Sequence, residues 1–215
     1  MTTRNRNRPL YRIVLLAVAL LALVGGYWLG NHYQRPSLEG ISATLLPEPR
    51  PIGGFSLRDD NGKPFGPQQL RGHWTFVFFG YTHCPDICPD TLYRMVQVFN
   101  RLAVDPDLQK DTRMVFVSVD PQRDTPEVLH DYVRYFHPDF TGVTGPEEEL
   151  LPFARQFSVV YMKQAPAEGS DNYLVDHSAA ILLVDPDGQL HGIFSGVQDP
   201  GTIAADLQKI AGNWR

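Results

Sequence analysis

The sequence predicts an α/β fold, a central mixed sheet flanked by helices, behind a single N-terminal transmembrane helix. Three observations carry this. Residues 13–29 are an uncharged apolar run behind a cluster of arginines. Strand-type and helix-type segments then alternate along residues 52–215. The most apolar strand-type run, Thr75–Phe79, leads into a segment of helical spacing, with the chain's two cysteines, Cys84 and Cys88, at the junction.

Residues 1–35 hold five arginines (Arg4, Arg6, Arg8, Arg12, Arg35) and no acid. The remaining 14 basic and 24 acidic residues leave the body at −10, against −5 for the whole chain. Ile13–Leu29 is 17 residues long, roughly 25 Å as a helix and so at the short end of a membrane span. Leu10, Tyr11 and a snorkelling Arg12 lengthen it, and Tyr27 and Trp28 suit the far interface. Arginines on the near side hold that end in the cytoplasm. This makes a single-pass protein of the inner (cytoplasmic) membrane, with its C-terminal domain on the periplasmic or equivalent outer side. A cleaved export signal shares the basic start and apolar run. The run, however, exceeds the usual core of about 7–15 residues, and no small-x-small site follows it cleanly. Either way the domain is exported.

Residues 1–30 therefore read as cytoplasmic tip and anchor. Residues 31–51, with Pro36, Pro47, Pro49 and Pro51, read as a semi-extended linker, and residues 52–215 as one domain with its own core. Gly54–Leu57 and the turn Asp59–Gly62 open a small hairpin. Thr75–Phe79 has no polar alternation, as expected of a buried central strand. Leu92, Met95, Val96, Phe99 and Leu102 follow helical spacing in a helix that starts around Asp86–Asp90. Met114–Val119 is a second buried strand. Asp124-Thr-Pro-Glu127 supplies a cap, a proline and a first-turn acid for a helix to about Phe136. Glu147–Phe157 is a short helix. Ala179–Val184 and Leu190–Ser195 flank the turn Asp185–Gly188, and Ile203–Ala211 is a terminal helix. Hairpin, β-α-β-α, then β-β-α, with a thiol pair after the first core strand, is the order of a thioredoxin-like domain. Its strand–helix–strand crossings give parallel pairing in the middle of the sheet. The body's negative charge argues against a nucleic-acid partner and against docking on an anionic membrane surface.

The chemistry concentrates at Cys84 and Cys88. Residues i and i+4 of a helix share a face, about 5–6 Å apart at Cβ, so two sulfurs can converge on one ion or form a reversible disulfide. Redox pairs of the thioredoxin type use C-x2-C, and the extra residue here shifts the balance towards metal. A helix N-terminus favours thiolates. Two thiolates need a further donor. His32 lies in the linker, and His130 and His137 read as solvated residues of a surface helix. His73 precedes the core strand, His191 begins the last strand, and His83 points away from its neighbour Cys84. His177 stands just before a core strand, in the loop that this topology brings to the first helix's N-terminus.

Gly80-Tyr-Thr-His-Cys-Pro-Asp-Ile-Cys-Pro89, Ser118-Val-Asp-Pro-Gln-Arg-Asp-Thr-Pro126 and Val175-Asp-His-Ser178, in this order, resemble the Sco/SenC family of membrane-anchored copper-delivery proteins. The resemblance implies a thioredoxin-like copper-binding domain that serves cytochrome c oxidase assembly. Its ligands, carried over by position, are Cys84, Cys88 and His177. The cargo is a copper ion, Cu(I), Cu(II) or both, and the partner is the oxidase's copper-bearing subunit. Other copper chaperones and thiol oxidoreductases are further partners, and the N-terminal helix holds the protein to the membrane. Thiolates select Cu(I), imidazole accepts both oxidation states, and three donors leave a position open for transfer. Asp176 is a candidate to orient the histidine from behind. Asp86 is expected to engage helix N–H groups rather than the ion. Asp120, Asp124 and Thr125 read as loop and cap residues.

On this reading the protein is a metallochaperone, not a turnover enzyme. A thiol–disulfide oxidoreductase that reduces a copper-accepting partner is the alternative, in which Cys84 and Cys88 cycle through a disulfide. Zinc held by the same three residues and a water is a third reading, without an evident general base or substrate pocket.

Overall fold

The uncharged N-terminal run is helical. In the computed structural model, which describes residues 8–32, 38–165, 173–196 and 198–214, α1 spans Arg8–His32. Its window Tyr11–Trp28 is long and apolar enough to cross a membrane, and its leucines stand exposed.

Thr75–Phe79 forms the middle of β4 (Trp74–Gly80), every residue of which is buried. The strand reads as an unbroken apolar run because both faces are covered. Phe76 and Phe78 enter one core, and Val77 and Phe79 enter the other. The helical-period segment after it is α2 (Ile87–Leu102), which lays Leu92, Met95, Val98, Phe99 and Leu102 on the first of these cores. The short α3 (Pro106–Lys110) leads to β5 (Thr112–Ser118), parallel to β4. Next comes α4 (Pro126–Phe136), with Thr125 as N-cap accepting from Val128 N–H and Pro126 at its first position. α5 (Glu147–Gln156) covers the opposite face of the sheet. β9 (Ile181–Val184), β10 (Gln189–Phe194) and α6 (Pro200–Asn213) complete the end expected from the Asp185–Gly188 turn.

Four features depart from the sequence reading. Residues 44–51, assigned to the linker, form β1 (Thr44–Pro51), antiparallel to β10. Its register breaks between Leu45 and Arg50, which leaves Pro47 and Pro49 in the irregular stretch of an edge strand, where a missing N–H breaks no ladder bond. Phe140–Thr144 forms β6, parallel to β5, so α4 is a second crossover within the parallel centre β4-β5-β6 of a mixed sheet. The early hairpin forms as expected, β2 (Leu57–Asp59) with β3 (Pro64–Phe65), and the departure is its pairing onto β6. A separate small ribbon pairs β7 (Tyr161–Lys163) with β8 (Val175–His177). Among the described residues the main sheet has eight strands in the order β1-β10-β9-β4-β5-β6-β2-β3. The site follows from this order. β4 is central, its C-terminal end opens onto the start of α2, and the neighbouring β9 is entered from β8.

Candidate metal centre

At the C-terminal end of β4 the chain turns sharply, and Cys84 N–H donates to Tyr81 C=O at 3.2 Å. α2 begins only at Ile87, so Cys84 lies outside the helix and Cys88 in its first turn. The sulfurs are therefore not brought together by i,i+4 helical spacing. The loop folds Cys84 back over the helix start, and the β7–β8 ribbon delivers His177 to the same point. The ligand atoms of Cys84, Cys88 and His177 lie within 4.8 Å of one another. His177 Nε2 is 3.4 Å from Cys88 Sγ, and both cysteines are free thiols.

Each member is fixed differently. Cys88 is fully buried, with its sulfur against the backbone of Gly80: a Cβ at residue 80 would lie 2.6 Å from Sγ. His177 presents Nε2 to the sulfurs while Nδ1 lies 3.0 Å from Ser178 C=O, a contact that places the second ring proton away from the site. The ring is held edge-on between Phe78 and Tyr81, both at 5.9 Å between centroids. Cys84 is partly exposed.

The two thiols share one proton. Cys88 donates to Cys84, and this bond is the largest cause holding the Cys84 thiol down to about 4; burial opposes it, and N–H groups of Asp86 and Cys88 reinforce it. The same bond, with burial, pushes the Cys88 thiol far up. At neutral pH the site therefore holds a thiolate at its accessible edge and a protonated sulfur beneath it. Two soft sulfurs and one imidazole nitrogen fit a thiophilic ion: metal bonds of about 2.0–2.3 Å place such donors roughly 3.5–4 Å apart. The donor set here needs only a small contraction from its present spread.

The residues expected around the ligands are distributed otherwise. Asp86 occupies the N-cap of α2, but its side chain makes no capping bond; its backbone N–H serves the Cys84 sulfur instead. Asp176 points to the outer side of the ribbon and accepts from Gln164 at 2.8 Å, because successive strand residues face opposite ways. The carbonyl of Ser178 occupies the orienting position proposed for it. His83 turns from the sulfurs towards Thr82 Oγ1 at 3.0 Å and Asp124 at 3.8 Å. His130 is not simply solvated, since its Nδ1 is 3.3 Å from buried Asp60, and His137 stacks on Phe140. His73 lies in the bend before β4 and His191 in β10, beside Asp185 at 3.4 Å. The side chain of His32 lies outside the described residues. Asp120 and Asp124 lie in the loop between β5 and α4, as expected, but are fully buried there, and Thr125 caps α4. Gly80, Phe78, Tyr81 and Ser178 went unrecognised as site residues. Only Gly80 left a sequence signal, a glycine ending an otherwise bulky strand.

Comparison with known proteins gives one consistent answer. The family described as SCO1/SenC matches residues 45–212. The mitochondrial SCO2 homolog of Mus musculus is 39% identical over 187 residues, which cover 86% of this chain and 72% of that protein. ScoI of Arabidopsis thaliana, solved with copper bound, is 38% identical and superposes with a TM-score of 0.68 over 74% of this chain and 97% of its own. Apo Sco1 of Thermus thermophilus, solved in solution, is 37% identical with a TM-score of 0.70, over 79% and 96% of the two chains.

Proposed function

Because this chain belongs to the SCO1/SenC family, we propose that it is a membrane-tethered metallochaperone that binds copper through Cys84, Cys88 and His177 and delivers it to the copper-bearing subunit of cytochrome c oxidase. The observation that carries this is the convergence of those three side chains, from the β4–α2 junction and the β7–β8 ribbon, within 4.8 Å. Copper is the cargo. Cys84 supplies a thiolate ready to bind without losing a proton, and Cys88 surrenders its proton as the second sulfur engages. His177 adds a neutral nitrogen held in the right tautomer by Ser178 C=O. Two sulfurs favour Cu(I), and the nitrogen keeps Cu(II) acceptable. The partly exposed side of Cys84 is the edge at which an acceptor's ligands can replace the donors one at a time. The apolar helix Tyr11–Trp28 anchors the protein in the inner membrane, with the arginine-rich end in the cytoplasm and the domain outside. No turnover reaction is part of this role.

A second reading draws on the asymmetry of the thiols. An accessible thiolate over a buried, protonated partner is the arrangement of an attacking and a resolving cysteine. Cys84 would attack a partner's disulfide and displace one partner thiol. Cys88 would then displace the other, leaving the partner as a dithiol and this chain with a Cys84–Cys88 disulfide, two electrons having moved to the partner. Copper and the disulfide exclude each other on the same sulfurs.

Copper titration of the reduced full chain in detergent, with anaerobic thiol counting, tests the three-ligand site. One equivalent is expected to bind, and Cys84→Ala, Cys88→Ala and His177→Ala each to bind far more weakly. Unchanged affinity in His177→Ala rules out the three-ligand site.

A further inference from the structure

The stretch Ser118–Pro126 contributes no ligand, yet Ser118, Asp120 and Asp124 are among the most deeply buried polar residues of the protein, each with 0% exposure. Burying two carboxylates is costly unless hydrogen bonds answer them, so the donors show what each carboxylate is for. Asp124 accepts from Thr82 N–H at 2.9 Å, from Thr82 Oγ1 at 2.6 Å and from Ser118 Oγ at 2.5 Å. Thr82 belongs to the turn that carries Cys84. Asp120 accepts from the Tyr173 hydroxyl at 2.7 Å, with Lys163 Nζ at 3.5 Å from the same oxygen and Arg123 on the other. Tyr173 lies two residues before β8, and Lys163 pairs with Val175 across the ribbon that carries His177. The Arg123 guanidinium also lies over the Tyr173 ring, 3.7 Å from its centroid. Ser118 links the two residues, donating to the Asp124 carboxylate and accepting from the Asp120 backbone N–H at 3.1 Å.

We propose that Ser118, Asp120 and Asp124 form a bracket that positions both halves of the metal centre, Asp124 holding the cysteine loop through Thr82 and Asp120 holding the histidine ribbon through Tyr173 and Lys163. The inference rests on the metal-binding reading of Cys84, Cys88 and His177. Cys88 and His177 are 89 residues apart along the chain, and Cys84 stands outside regular structure. The end of β5 and the buried loop that follows it are therefore the common frame against which the two ligand-bearing segments keep their distance. These are positioning residues: they touch ligand-bearing segments and none of the three ligands. Hydrogen bonds to charged acceptors are the stronger kind, and supporting partners of this type commonly change metal affinity by about 10–100-fold.

The arms are separable by isosteric changes in the full chain. Thr82→Val removes the hydroxyl donor to Asp124, Thr82→Ser restores it, and Tyr173→Phe removes the donor to Asp120. Cu(I) affinity of the reduced chain is read against a chromophoric chelator. In the metal-free reduced chain, the rate of Cys84 alkylation reads the cysteine arm alone. Nitrogen hyperfine coupling in the electron paramagnetic resonance of the Cu(II)-loaded chain reads the histidine arm. The expected result is a loss of about tenfold or more in Cu(I) affinity for Thr82→Val and Tyr173→Phe, with Thr82→Ser close to wild type. Alkylation should change only with Thr82→Val, and the nitrogen signature with Tyr173→Phe. Tight binding by wild type and by both variants overturns the bracket. So does a loss that Thr82→Ser fails to rescue, or one in which neither arm-specific signal moves, since this marks a general loss of stability. If wild type itself binds no copper, the metal-binding reading fails instead, and the alkylation comparison in metal-free protein still decides the cysteine arm.

Discussion

Gly80→Ala isolates how closely the buried sulfur is seated. Gly80 ends β4 with no positive φ, so alanine is tolerated by the backbone and the effect is steric. The added Cβ would lie 2.6 Å from Cys88 Sγ and 2.8 Å from Phe116 Cε2. Ordinary contact begins near 3.4 Å, so the sulfur or the strand end must retreat by about 0.8 Å. The tolerance of a preorganised ligand set is about 0.5 Å. Phe116 and Cys88 are both fully buried and neither can swing clear, so the strain is shared by the ring, the strand end and the seat of the sulfur. Overpacking of this kind costs about 1–3 kcal/mol. For a domain of this size that corresponds to a fall in melting temperature of about 2–4 °C per kcal/mol. Copper affinity should fall by about one order of magnitude or more, since about 1.4 kcal/mol is tenfold. The assay is competitive copper titration of the reduced chain beside thermal unfolding. Gly54→Ala serves as control, because its Cβ would meet nothing within 4 Å. If Gly80→Ala unfolds at the wild-type temperature and keeps wild-type affinity, the close seating of the sulfur is wrong.

The shared proton makes a second expectation. With the Cys84 thiol held down to about 4, its thiolate persists on acidification until the pH nears that value. Iodoacetamide should therefore modify Cys84 at a rate nearly flat from pH 8 to pH 5, on the order of tenfold faster than free cysteine at pH 5, with Cys88 protected by burial. A tenfold loss of rate per pH unit between 7 and 5 contradicts the shared proton. A third concerns the start of the domain: Asp206, 2% exposed, accepts from Ser42 N–H at 2.7 Å, Ser42 Oγ at 2.8 Å and Ala43 N–H at 3.1 Å. Asp206→Ala should cost about 1–3 kcal/mol, read as a lower urea midpoint with faster proteolysis ahead of Thr44. An unchanged midpoint would show that this anchor carries no stability.

Much of the fold was legible because apolar patterning is local. The unbroken run Thr75–Phe79 could only be a strand covered on both faces, and Leu92, Met95, Phe99 and Leu102 could only be one face of a helix. β1 was not legible, because four prolines between residues 36 and 51 resemble a tether; its pairing with β10 joins residues about 140 positions apart and accommodates Pro47 and Pro49 in a register break. The β7–β8 ribbon was likewise hidden, being three residues per strand. In the site, residue types picked out the candidate donors that the fold then brings together: two thiols at C-x3-C and one histidine before a core strand.

By itself, then, the sequence marked out an apolar helix long enough to cross a membrane, an α/β domain, three candidate donors and, through its motifs, the family to which the chain belongs. Only the tertiary structure decided which carboxylates matter and how the donors meet. Asp86 and Asp176, nearest the ligands along the chain, face outwards. Asp120 and Asp124, distant in sequence from both ligand loops, are buried where they hold them. Alternation and helical period set the direction of a side chain on its own element. Burial and partnership of a charge depend on what the rest of the chain stacks above it, and that depends on contacts a linear pattern does not encode.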